Sequence, residues 1–551
     1  MMRRAMVLAF PLIAVLLAPS WSDAEGPRRL PRTTVETIRQ VAIQHNGRVK
    51  PFDSFAREML QRITGAPRIG HDDAVETVLS IMADQERWQA EPLLAIPFIP
   101  LREALGLDRK TARVSYNQLI ETRKLMRMLP AIVQKQQRDE KLSMLENETM
   151  DAFQRFTALS SLLKYRITLV PPPPGSTDQV WRSILRPEGY SSRQQEALRN
   201  SWSSLISAVH AGEPQAIDAA ALQLATLLQQ ANPAAYPARW RFVLEVFYNA
   251  SAPFHIARWF YFVGCLGLLV SLSTEAIWAS ALGFAAVIMG YFVHLAGILT
   301  RVVLGGRPPV SNFFETMLWL PFVAVTVALI FERIYRVGYF GFAASILSMI
   351  VLVLADYVPL DSSISPVVAV LHSNLWLTIH VLTVVASYGA LALATVLAHI
   401  YSVVYLRDRS HASLPGLGTF LYRTIQVGVV LLVGGIMLGA VWANASWGRY
   451  WGWDPKETWA LITLLWFLAI LHGRFAGWIH GVGVALSTIG GFFLLLMTYY
   501  GVSFYLVGLH SYAGGHAKPL PAILIGYVIA ELIFLVIVGL SALTRRPVVE
   551  R

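Results

Sequence analysis

Cysteine is all but missing from these 551 residues: Cys265 stands alone. A single thiol excludes a disulfide framework within the chain, and it excludes a Cys-x-x-Cys-His site for covalent cofactor attachment. Cys265 lies inside an apolar run and reads as a small buried hydrophobe. Charge is scarce too. Only 15% of residues are charged while 55% are hydrophobic, a balance that excludes an ordinary soluble enzyme. The net charge of +11 does not point to nucleic acid, because membrane proteins gather Lys and Arg on their cytoplasmic loops. Acidic residues inside apolar runs are rarer still, Glu531 being the clear case.

Between residues 25 and 250 it is long apolar runs that are absent. Charge there is mixed, and helical patterns occupy 72–89, 116–165 and 192–231. The run Pro171–Pro174 is expected to separate two helical subdomains. The polar segment Gln44–Asp53, with a turn at Asn46-Gly47, reads as a plain surface turn, with a contact site as the other option. Ahead of this region, residues 1–24 place Arg3 and Arg4 before an apolar run at 5–18 and then Ser22-Asp23-Ala24. That pattern is a signal peptide or an uncleaved N-terminal anchor, so 25–250 is expected to be an extracytoplasmic helical domain.

After 257 the shortage reverses. Runs of spanning length follow at about 257–273, 277–300, 313–331, 340–356, 376–405, 424–443, 456–473, 479–503 and 520–542. Nine spans after an exported region put Arg333, Arg336, Arg407, Arg409, Arg423, Arg474, Arg545 and Arg546 on the cytoplasmic side, as the positive-inside rule requires. The loops 301–312, 357–375, 444–455 and 504–519 then face outward. The expected fold is an all-α polytopic transmembrane helix bundle of about nine spans in 257–545, with an N-terminal mainly helical extracytoplasmic domain. The expected location is the inner membrane, multi-pass, with that domain and the 444–455 loop on the periplasmic side.

What the chain has in excess is tryptophan, and it is concentrated. Trp442, Trp447, Trp451, Trp453 and Trp459 fall within eighteen residues, in an outer loop joining two spans. Asp454 suits the cap of the next helix, Pro455 its first position, and Glu457 the closing position of a capping box. An interfacial aromatic belt would spread such residues over many helix ends and would need no glycine spacing. The run Trp447-Gly-x-Tyr450-Trp451-x-Trp453-Asp454-Pro455-Lys456-Glu457-Thr458-Trp459-Ala460-Leu461 resembles the tryptophan-rich WWD signature of haem-handling membrane proteins. Its Asp-Pro-Lys-Glu-Thr-Trp ending resembles the CcsA/ResC family of system II cytochrome c biogenesis, whereas the CcmC and CcmF branches differ after the Asp. The resemblance extends over roughly 290–545 and leaves the N-terminal half outside it.

Histidines complete the pattern. His380 lies near the outer end of the fifth span and His510 in the last outer loop, so both flank the tryptophans. Two imidazoles beside aromatic walls suit a haem iron and the faces of a porphyrin. The resemblance implies the same, matching His380 and His510 to the family's external haem ligands; His372 has no such match. His472, seventeen residues after Pro455, lies ~26 Å deeper along its helix and cannot serve the same iron. The resemblance matches it to an inner haem site whose second histidine comes from a CcsB/ResB partner; His294 could substitute within the chain, although a histidine so placed more often just bonds within the bundle. Arg301 and Arg307 break the positive-inside trend on the outer side, which bears on haem because its propionates are anionic. The segment Gly306–Glu315 also resembles a family loop, Pro-x-Ser-Asn-x-x-Glu, with Ser311 or Asn312 as a cap and Glu315 structural.

The function the resemblance implies is therefore cytochrome c assembly. Haem b, held non-covalently, passes through the bundle and is presented at Trp447, Tyr450, Trp451, Trp453, Asp454 and Trp459. There it meets the Cys-x-x-Cys-His motif of apocytochrome c, the chain acting as haem-binding subunit of a membrane holocytochrome c synthase. No side chain reads as a nucleophile or general base. The alternative is a haem exporter or chaperone that makes no covalent bond. A transporter of ions or quinones, with Glu531 as its buried acid, is a third reading.

Overall fold

The computed structural model describes residues 29–138, 140–358, 360–366, 375–510 and 522–544. The segment 1–24, His372, Arg545 and Arg546 lie outside the described residues.

Helices dominate the N-terminal region, from Arg32–Arg39 to Pro214–Ala231, joined by two short antiparallel ribbons. Their caps are the ones local chemistry favours: Ser115, Ser143 and Ser191 each close a capping box with Gln118, Glu146 and Gln194. The helices before and after Pro171–Pro174 share one apolar core, running from Leu30 to Leu228. The expected division into two subdomains is therefore wrong. Prolines have no N–H to satisfy, and the buried Pro171 and Pro172 offer only carbonyls. Tyr190 donates to Pro171 O at 3.0 Å and Asn232 donates to Pro172 O at 2.8 Å, which makes the run a seam within one core.

The Gln44–Asp53 segment is more than a surface turn. Ala42–His45 pairs with Arg48–Pro51, and Asn46 and Gly47 take φ of 50° and 74°, the two positive values a tight hairpin requires. Lys50 is fully buried, with its ammonium 2.6 Å and 2.8 Å from the two Glu58 oxygens. Arg48 donates to both oxygens of Glu245 on the helix Arg239–Ser251, at 2.7 Å and 2.6 Å. At the tip, a Cβ on Gly47 would meet Pro366 at 3.3 Å, so the hairpin touches the loop after the fourth span.

Among the described residues, nine helices are long and apolar enough to cross a membrane: Pro253–Thr274, Ile277–Gly305, Phe313–Tyr335, Tyr339–Tyr357, Leu375–Arg407, Leu414–Trp447, Pro455–Phe475, Val482–Tyr505 and Ile523–Leu543. The protein is an all-α, multi-pass membrane bundle. Its spans approach closely at glycines, as packing in lipid favours. A Cβ on Gly267 of the first span would meet Gly283 Cα of the second at 2.8 Å, and one on Gly435 of the sixth would meet Val384 Cα of the fifth at 2.9 Å. The sixth span is longer than its apolar run predicts. It stays helical through Trp447, so Trp442 and Trp447 sit on a helix and only Gly448–Asp454 is loop.

Arg301 and Arg307 are not free for an anionic ligand. Arg301 donates to Glu315 Oε1 at 3.0 Å and Arg307 donates to Oε2 at 2.6 Å, with Arg301 and Glu315 buried and Arg307 largely so. Arg301 also holds the carbonyls of Ser362 and Ser363, and Arg307 that of Ser365. Asn312 is the cap the sequence anticipated, accepting from Glu315 N at 2.8 Å.

Candidate functional site

The capping box at the start of the seventh span forms as the sequence implies. Asp454 accepts from Lys456 N at 3.0 Å, and Glu457 reaches back to the N–H of Asp454 and of Gly452. The cap then does a second job. Its Oδ2 accepts from His510 Nδ1 at 2.8 Å, and its Oδ1 accepts from Leu509 N at 2.7 Å. One carboxylate thus joins the tryptophan loop to the loop that carries His510. Gly508 is what permits that approach, since a Cβ there would lie 2.5 Å from Asp454 Oδ1. Burial pushes the Asp454 carboxyl up, but the hydrogen bonds from His510, Lys456 and Leu509 outweigh it and hold the group below the ordinary carboxylate range. The carboxylate therefore stays ionised at neutral pH, and the pair is lost only as pH falls through that depressed value.

His380 is placed by the sixth span. A carbonyl can only accept, so the 2.8 Å contact of its Nδ1 with Gly435 O puts the proton on Nδ1 and leaves Nε2 as the basic nitrogen. Gly439 makes room: a Cβ there would lie 2.6 Å from the imidazole. Trp442, one turn further on, lies nearly parallel to His380, with ring centroids 6.3 Å apart and an 8° angle between planes. The same indole is 6.0 Å from the His510 ring and 4.6 Å from Trp447, and Trp447 meets His510 edge-on at 5.5 Å. His510 repeats the arrangement of His380, with Nδ1–H on an oxygen and Nε2 free of protein partners among the described residues. Oxygen acceptors behind Nδ1 are the usual support of a metal-binding histidine. They orient the ring and leave Nε2 available to a ligand.

Of the residues singled out from sequence, the structure gathers His380, His510, Asp454 and Trp447. Tyr450 and Trp453 face outward, 61% and 69% exposed, and Trp453 packs edge-on against Trp451 at 5.7 Å. Trp453 holds a φ of 57°, a conformation that bulky residues rarely adopt. Trp459 lies one turn inside the membrane end, where its carbonyl accepts from Thr463 and Thr498. His472 sits at the far end of the same unbroken helix; its Nδ1 donates to Leu468 O at 2.8 Å, leaving Nε2 unpartnered among the described residues. His294 offers no ligand nitrogen. Nε2 donates to Leu318 O and Nδ1 meets the Tyr261 hydroxyl, so it is a bundle histidine.

Two residues were missed. Trp442 is 4% exposed, with its indole N–H buried and unpartnered among the described residues. The stripe Gly435, Gly439, Trp442, at helical spacing, was the available signal. Lys456 turns back into the bundle, donating to Ser503 Oγ at 3.0 Å and Tyr499 O at 3.3 Å. Tyr499 lies in Met497–Gly501, where the eighth span takes π geometry, a feature frequent at functional sites.

The role of Asp454 separates cleanly by substitution. Asn caps a helix as well as Asp, so Asp454→Asn should keep the start of the seventh span, while its NH2 group cannot replace the second acceptor oxygen that links to the His510 loop, at a modest cost in thermal stability. Loss of the carboxylate behind His510 should nevertheless weaken ligation of an iron by roughly 10–100-fold. Haem titration of the purified variant checks this, and an unaltered affinity would show Asp454 to be only a cap.

Residues 310–510 match the family model described as cytochrome C assembly protein. The chain is 32% identical to the cytochrome c biogenesis protein CcsA of Synechococcus sp. (strain CC9605) over 302 residues, covering 48% of this chain and 98% of that one. It is 34% identical to CcsA of Prochlorococcus marinus (strain MIT 9515) over 267 residues, 42% of this chain and 84% of the relative. Protein NrfI of Wolinella succinogenes is 28% identical over 527 residues, which take in 90% of this chain but 56% of NrfI. That similarity reaches far into the N-terminal half, beyond the limit the tryptophan signature suggested. With nearly the whole of a CcsA protein matched at this level, the chain belongs to the CcsA family of cytochrome c assembly proteins.

Proposed function

We propose that the chain binds haem as cargo at the outer end of its bundle and presents it for covalent attachment to apocytochrome c. The observation that carries this reading is the pair of anchored imidazoles, His380 and His510. Each has its Nδ1 proton on an oxygen and its Nε2 unpartnered among the described residues, and both lie within 6.3 Å of one indole. The residues present fit haem: two nitrogen donors, aromatic faces at Trp442 and Trp447, and a buried N–H on Trp442 for an anionic substituent.

The chain's own part is to bind, orient and cover the cargo. Bound haem supplies the vinyl groups, across which the two thiols of the apocytochrome add, each S–H contributing its sulfur and its hydrogen. Asp454 fixes His510, Gly435 fixes His380, and no general base is required of the protein. Effective positioning of this kind is a sufficient catalytic device. The tryptophan loop and the N-terminal domain are assigned to the periplasmic side, where apocytochromes fold. His472, some 26 Å away along the seventh span, is assigned to an inner station completed by an imidazole of a CcsB/ResB-like partner.

Purified full-length protein should carry b-type haem with the low-spin optical and paramagnetic signature of two imidazole ligands. A five-coordinate spectrum, or no haem after expression with haem in excess, refutes the assignment. Coexpression with a ResB-like partner and a reporter apocytochrome then separates synthase from exporter by the presence of covalent haem. His472→Ala should purify with little haem and still bind haem added from outside. Normal loading in cells would reduce His472 to a helix-end histidine.

A further inference from the structure

The helix Arg239–Ser251 links the N-terminal region to the first span, and its two faces are chemically opposite. Phe242 and Glu245 are buried toward the N-terminal region, with Glu245 held by Arg48 and Ser54. The other face carries Trp240, Val243, Leu244 and Phe247, the i, i+3, i+4, i+7 spacing of an apolar helical stripe. Trp240, Val243 and Phe247 are 57%, 48% and 67% exposed. So large an apolar stripe on the surface marks an interaction site.

The height of this helix relative to the membrane is fixed by three contacts. Ala252, at φ 44°, turns the chain directly into the first span at Pro253. That span has 22 residues, ~33 Å of helix, which matches a ~30 Å hydrocarbon core and puts Pro253 at its boundary. Arg241 donates to Val303 O at 3.1 Å, and Arg301 donates to the Tyr248 hydroxyl at 3.2 Å, so the helix is tied at both ends to the matching end of the second span. Both spans also expose large apolar residues toward this end: Ile256 and Trp259 on the first, Leu299 and Val303 on the second, Val303 offering the carbonyl that Arg241 holds.

We infer that Arg239–Ser251 is an interfacial helix whose Trp240–Phe247 face is buried in the lipid headgroup and acyl boundary of the leaflet on the tryptophan-loop side. Arg239 and Arg241 flank its start at headgroup level, and amphipathic helices with this division of faces bury ~5–10 Å into that layer. Through Arg48 and Glu245, the hairpin Ala42–Pro51 rides on the same helix. The bilayer surface is therefore a third anchor for the N-terminal domain, beside the hairpin and the first span.

The test uses the full chain in phosphatidylglycerol/phosphatidylcholine nanodiscs, with Cys265→Ser removing the one native thiol. A nitroxide on Phe247→Cys should collide more with oxygen than with a water-soluble nickel chelate. A nitroxide on Leu222→Cys, an exposed position on the helix Pro214–Ala231, should show the reverse. A second label at Trp240→Cys guards against a local disturbance at Phe247 and should behave as Phe247→Cys does. Nickel access equal to that at Leu222 overturns the inference. Shielding from both reagents overturns it too, since the face would then be covered by protein.

Discussion

Replacing His380 and His510 together by alanine is expected to leave a folded protein with no haem. Neither imidazole is structural in the sense that His294 is: each makes one hydrogen bond, and each keeps a nitrogen with no protein partner among the described residues. Loss of an outer-shell partner alone costs a metal site roughly 10–100-fold in affinity, so loss of a ligand itself should exceed that for each single variant. The single variants should differ. His380→Ala opens a space between Gly439 and Trp442 that free imidazole fits, and added imidazole should restore low-spin haem there. His510 is held on a loop, and its removal also frees Asp454, so rescue at that position should be weaker. Haem content per protein and the Soret band measure both. A double variant with unchanged haem and an unchanged spectrum would remove the ligand assignment altogether.

Substituting Glu315 should have the second largest effect, on stability. Two guanidinium groups, that of Arg301 buried and that of Arg307 largely so, converge on this buried carboxylate, and Ser311 N adds a third donor at 2.9 Å. Glu315→Ala leaves those charges without a counter-ion, and breaking a buried pair from one side costs about 3–5 kcal/mol. The damage should not stay local, because Arg301 and Arg307 hold the loop carbonyls at Ser362, Ser363 and Ser365 beneath the hairpin tip. Glu315→Gln, which keeps the shape but not the charge, should fall between wild type and Glu315→Ala. Thermal unfolding in nanodiscs reports the order, and a Glu315→Ala variant as stable as the parent would contradict the ion-pair account.

The bundle was legible because spanning length and apolarity are local properties, which a run of twenty residues carries by itself. The capping box at Asp454 was legible for the same reason. What escaped were pairings between distant segments. Nothing near Asp454 shows that its carboxylate reaches His510, 56 residues on. Arg301 and Arg307 read as free cations because their shared partner sits on the next helix, across a loop. Trp447 was grouped with a loop because the sixth span outlasts its apolar run by a full turn, and only the helix brings Gly435, Gly439 and Trp442 onto one face. The proline run misled for a different reason: it breaks helices locally, yet its carbonyls bind across the core.

The π turn at Met497–Gly501 has a consequence for how the eighth span evolves and tolerates change. A π turn holds one residue more than an α turn, so everything after it is rotated by about 100° from where an unbroken helix would put it. Residues before the turn keep the phase that packs Gly491 against Trp466 and Phe467. Residues after it take a second phase, the one that brings Ser503 to Lys456 and delivers Leu509 and His510 to Asp454. One helix thus answers to two registers. Deleting a single residue within 497–501 would straighten the span and merge them, and the loop that carries His510 would then leave the helix on the wrong side of its axis while every other span stayed in place.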